Sequence, residues 1–67
     1  MKKLRWTDVN DIAIELEEAH PGADVENLRF TDLWKWVQAL PGFADDPNKS
    51  NEKILEAIQM AWLEERR

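Results

Sequence analysis

Apolar residues in this chain recur at three- and four-residue intervals in three separate runs, each bounded by residues that start or stop helices. In the first run, "TDVNDIAIELEEAHPG", Val9, Ile12, Ala13, Leu16 and Ala19 make one stripe. Thr7 or Asp8 is its natural N-cap, because either side-chain oxygen can accept an unpaired first-turn N–H. Pro21-Gly22 stops it. In the second, "TDLWKWVQALPG", the stripe is Leu33, Trp36, Val37 and Leu40, with Thr31 or Asp32 as cap and Pro41-Gly42 as stop. The third, "SNEKILEAIQMAWLEERR", is capped by Ser50 and carries Ile54, Leu55, Ile58, Ala61 and Trp62. Met60 and Leu63 fall outside that stripe, which implies a helix touching structure on two sides. Trp34 is off its own stripe, so it packs on a second layer or is partly exposed.

Two connections remain. In "ADVENLRF", Asp24 can cap a single turn through Leu28, followed by an extended Arg29-Phe30. In "ALPGFADDPNKSNEKIL", Phe43 gives an apolar anchor, while Asp45 and Asp46 can bond nearby backbone N–H groups and form a turn before Pro47. There is no repeat and no strand pattern. The expected fold is all-α: a small compact three-helix domain spanning residues 1–67.

Composition sharpens this picture. The chain has no cysteine, so neither disulfides nor thiolate-held zinc can staple it. Sixty-seven residues lie near the low end of what folds unaided. Four Trp and two Phe compensate, because each buries a large apolar area. Trp36 and Trp62 read as core, and Trp6 as a lid over the core edge. No segment is long and apolar enough to span a bilayer, and "MKKLRW" lacks the apolar stretch of a signal peptide. The expected location is cytoplasmic and the expected state monomeric.

Charge adds a direction. The net charge is −5, and eight of the acids lie between Trp6 and Asp32 against one base, Arg29. The bases Lys2, Lys3 and Arg5 sit at one end of the chain and Arg66 and Arg67 at the other. Asp8, Asp11, Glu15 and Glu18 recur at helical spacing and share one face of the first helix, which Asp24 and Glu26 extend after the turn. Like charges at that spacing repel, although Asp8 and Asp11 gain from the positive end of the helix dipole. The plain reading is a solvated helix face. The concentration of acid favours a basic protein partner, with hard cations as weak ligands. A loose metal site would use Asp11, Glu15, Glu18 and Asp24. Asp45 and Asp46 are secondary candidates, although the acids-then-Gly pattern of a calcium loop is absent. His20, the only histidine, stands where it can meet the last carbonyls of the first helix. No nucleophile–base set, reactive cysteine or phosphate loop is present, so nothing here points to an enzyme. A groove-reading nucleic-acid domain is the alternative, disfavoured because the second and third helices offer phosphates few bases.

With these motifs in view, the chain resembles the IscX family of small acidic accessory proteins in bacterial iron–sulfur cluster assembly. The resemblance runs through "WTD" at 6–8, "RFTD" at 29–32, Trp36 within "WKWV", "DDP" at 45–47, "SNEKILEAI" at 50–58 and Trp62-Leu63. It implies a winged-helix-like domain with a reduced or absent wing. It also implies binding to the cysteine desulfurase that supplies sulfur, and to other assembly proteins. The role implied is that of an adaptor or regulator, overlapping with bacterial frataxin at a basic surface of the enzyme. Weak Fe2+ binding by surface carboxylates belongs to the same picture, with no tightly bound cofactor. Two features depart from the family pattern. The chain ends in Arg66-Arg67 where the family has an acidic tail, and Glu17 stands where some relatives carry an aromatic residue.

Overall fold

The computed structural model describes residues 3–67. Lys2, one of the N-terminal bases named above, lies outside them. Three helices follow one another: α1 (Val9–Ala19), α2 (Phe30–Gln38) and α3 (Glu52–Glu65), with a 3-10 turn at Pro47–Lys49 before the last. The all-α expectation holds. Among the described residues the only β pairing is one parallel bridge between Leu4 and Phe43. The radius of gyration is 10.6 Å, close to the ~11 Å expected of a folded chain this long. No helix among the described residues is long and apolar enough to cross a membrane.

The core is where the three stripes meet, and α1 and α3 form its largest interface. Ile12, Ala13 and Leu16 from α1, Leu33 and Val37 from α2, and Leu55, Ile58 and Trp62 from α3 are all buried. Leu4, Trp6, Val25 and Leu40 join them from the connections. Trp62 is fully buried as expected. Trp6 is 1% exposed, so it is core rather than lid. Its ring meets Phe43 edge-on at 4.8 Å. Trp36 is only half-buried, and lies flat on the His20 imidazole, with centroids 4.0 Å apart. Trp34 packs partly against the core and ties its ring N–H to Pro47 O at 3.0 Å.

Local chemistry moved several boundaries. Asp8 is the N-cap of α1 but caps nothing with its side chain. Instead its carboxylate accepts the Arg5 N–H at 2.9 Å, turning the chain into the helix. Helix α2 begins at Phe30, with Arg29 as N-cap, so Thr31 and Asp32 lie in its first turn. Asn51, not Ser50, caps α3, its Oδ1 accepting Ile54 N–H at 2.9 Å. The Ser50 hydroxyl instead donates to Pro47 O at 3.3 Å. The expected single turn through Leu28 forms directly after Asp24, but Asp24 caps it through a side chain rather than a backbone N–H. The turn closes through Leu28 N–H to Val25 O, while the Asp24 carboxylate accepts from the Asn27 side chain at 2.8 Å. Ala19, at the end of the α1 stripe, is exposed. Leu63 packs against the core, but Met60 is 60% exposed and touches no second layer.

Candidate partner-binding surface

Helix α1 turns Ile12, Ala13 and Leu16 inward, and this fixes where its acids go. Residues 8, 11, 15 and 18 fall within one quadrant on the flank of the helix, because each step advances the chain by nearly a full turn. Asp8, Asp11 and Glu15 are half-exposed and Glu18 is exposed. Asp24 and Glu26, on the turn after α1, are exposed as well. Glu15, Glu18 and Glu26 make no hydrogen bond or ion pair among the described residues, so their oxygens face solvent. The face is a spread surface rather than a cage. Among the described residues, no three His, Asp or Glu side chains gather closely enough to hold a metal ion.

Asp45 and Asp46 are placed very differently. Asp45 uses both oxygens on backbone donors: Trp6 N–H at 3.1 Å and Asp46 N–H at 2.8 Å. Those bonds, that of Trp6 first, hold its carboxyl below the ordinary value of 3.8. Asp46 accepts from Asn48 N–H at 2.9 Å and so caps the 3-10 turn. Its carbonyl receives the Trp6 ring N–H at 2.8 Å. The pair forms a clasp around the N-terminal segment.

The least anticipated feature joins Glu17 of α1 to Arg66 at the end of the chain. The Glu17 carboxylate accepts from the Trp62 ring N–H at 2.8 Å and from Arg66 Nε at 2.7 Å. These bonds, that of Trp62 first, pull its carboxyl below the ordinary 4.5. The Arg66 guanidinium lies 5.3 Å from the Trp62 ring centroid and reaches the carbonyls of Ala23, His20 and Pro21. The His20 side chain does not take the role the sequence had offered it at the end of α1, while Arg66 binds the carbonyls just beyond that helix. The imidazole stacks on Trp36, and His20 contributes its backbone N–H to Leu16 O at 2.8 Å. Local pattern could not find this network, since Glu17 and Arg66 are 49 residues apart.

Comparison with known proteins settles the lineage. The model of a family described as iron–sulphur cluster assembly matches residues 4–67, almost the whole chain. The chain belongs to the IscX family. A Pseudomonas aeruginosa protein named only as uncharacterized is 57% identical over 63 residues, covering 94% of this chain and 96% of its own. Membership of the IscX family assigns the chain to iron–sulfur cluster assembly. Glu15, Glu18 and Glu26 are acids that the described fold itself does not use.

Proposed function

We propose that this chain is a non-enzymatic adaptor or regulator of cluster assembly that docks on a cysteine desulfurase through Asp8, Asp11, Glu15, Glu18, Asp24 and Glu26. The supporting observation is positional. Asp11, Glu15 and Glu18 share one flank of a helix whose inner side is locked in the core, and three of the six acids have oxygens open to solvent. A fixed array of like charge suits a partner with a fixed basic patch. Such complementarity speeds encounter and sets orientation. It also makes binding salt-sensitive, because exposed charges are screened beyond about 8–10 Å at ordinary ionic strength. The same carboxylates hold Fe2+ loosely, one or two at a time with water completing the shell, since hard oxygen ligands without imidazole or thiolate bind it weakly. Metal and enzyme therefore compete for one surface.

The test is a charge reversal that leaves the core alone. Replacing Asp11, Glu15 and Glu18 together by Lys is expected to weaken desulfurase binding at least about a hundredfold. The helical circular-dichroism signal is expected to stay unchanged. Binding retained by the folded triple variant would show that this face is not the docking surface.

A further inference from the structure

The turn after α1 carries Asp24 and Glu26, two of the six acids of the docking face, and its fixed points come largely from α3. Gln59 Nε2 donates to Val25 O at 2.7 Å. Arg66 spans the carbonyls of His20, at 3.2 Å, Pro21, at 3.4 Å, and Ala23, and is itself anchored to Glu17 and the Trp62 ring. The rigid fork of a guanidinium suits this work, since its several donors lie in one plane and reach several oxygens at once. A shallow cleft of about 330 Å³ opens beside it, lined by Asp24, Val25, Glu26, Leu63, Arg66 and Arg67, so the two acids border the same groove as Arg66.

We propose that Arg66, seconded by Gln59, is a positioning residue for partner binding: it fixes the turn so that Asp24 and Glu26 extend the acidic face of α1 towards the same basic surface. This rests on the docking role given above to that face. Simple charge counting gives the opposite sign. Arg66 is a positive group on a protein that attracts a basic partner, so on charge alone its loss should strengthen binding. As a positioning residue its loss does the reverse, because the freed turn must be ordered again each time the partner binds. Arg67 supplies the control. It carries the same charge one residue later and borders the same cleft, but it pairs with Glu64 in the last turn of α3 at 3.3 Å and makes none of the bonds to the turn that Arg66 makes.

The experiment compares the full chain with Arg66→Gln, Arg66→Lys and Arg67→Gln. It reads desulfurase affinity by calorimetry at low salt and amide hydrogen exchange over residues 22–27. Arg66→Gln is expected to exchange faster there, with the core amides of α1 and α3 still protected, and to bind about three- to tenfold more weakly. Arg66→Lys, which keeps the charge and loses the fork, recovers only part of this. Arg67→Gln binds as tightly as the parent or more tightly. If Arg66→Gln binds as well as the parent, or leaves exchange in the turn unchanged while the parent binds, the positioning role is overturned and the docking face survives. If the parent itself binds no desulfurase, the docking reading falls and the binding role of Arg66 falls with it.

Discussion

The two connections between helices begin alike and end with opposite uses of their acids. Each opens with Pro-Gly and follows with carboxylates: Pro21-Gly22 before Asp24 and Glu26, Pro41-Gly42 before Asp45 and Asp46. The second connection holds itself and the N-terminal segment. Leu4 N–H donates to Gly42 O at 2.7 Å, Ala44 N–H to Leu4 O at 2.9 Å, and Asp45 and Asp46 receive Trp6. The first is held from outside by α3, through carbonyl oxygens rather than carboxylates. Its acids are left facing outward, Asp24 sharing one oxygen with Asn27 and Glu26 sharing none. Two acidic loops of similar composition thus do different jobs, and the difference lies in which atoms satisfy the backbone. Asp45, with each oxygen accepting a backbone N–H, is anchored to the fold, whereas Glu26 is not.

The largest effect separating the two comes from Trp6, the residue around which the second connection closes. Trp6→Ala empties a fully buried site and is expected to cost about 3–5 kcal/mol, read as a lowered urea midpoint. For a chain this small that is most of its stability. No substitution of Glu26 or Asp24 should approach it. A destabilisation by Asp24→Asn comparable with that of Trp6→Ala would erase the contrast between the loops.

Acid titration gives a smaller effect with a definite sign. Asp45 and Glu17 hold their protons less tightly in the folded chain than in the unfolded one. The unfolded state therefore binds more protons as the pH falls, and stability falls with it. Their contributions are complete above the ordinary values of 3.8 and 4.5 and are lost as the pH drops through the lower folded values. Asp45→Asn and Glu17→Gln should each destabilise the chain at neutral pH and flatten the acid limb of its stability curve. Parallel acid limbs for Asp45→Asn and the parent would mean that the clasp does not select the ionised carboxylate.

The smallest effect concerns the shared Pro-Gly signature. No described residue, glycine included, has a positive φ, and a Cβ at Gly22 would meet nothing within 4 Å. Gly22→Ala is therefore expected to stabilise the chain by about 0.4–1 kcal/mol, through the unfolded state. A drop in melting temperature would show that the first connection depends on its glycine.

The sequence exposed the helices and their buried faces because both follow from a local period that no distant residue can alter. It also placed the acids of α1, since a helix with a known inner side has a known flank. It misplaced caps where neighbours were chemically equivalent. Ser50 and Asn51 can both accept an N–H, and only the 3-10 turn, which occupies Ser50 with Pro47 O, decides between them. Phe30 starts α2 with no side-chain cap at all, so Thr31 and Asp32 misled. What stayed hidden was every contact between distant positions: Trp6 with Asp45, 39 residues apart, and Glu17 with Arg66. Glu17 looked like one more member of an acidic run. In the fold it belongs to Trp62 and Arg66 and leaves the surface field to the others.

The most direct measurement is a titration of isotopically labelled protein with the cysteine desulfurase of its host, followed through backbone amides by NMR at low and at high salt. Shifts or broadening confined to residues 8–26 at low salt, reversed by high salt, with the amides of residues 45–49 undisturbed, are the predicted result. Changes centred on Asp45 and Asp46, or none at all at low salt, would contradict the assignment of the docking role to the face of α1 and its following turn.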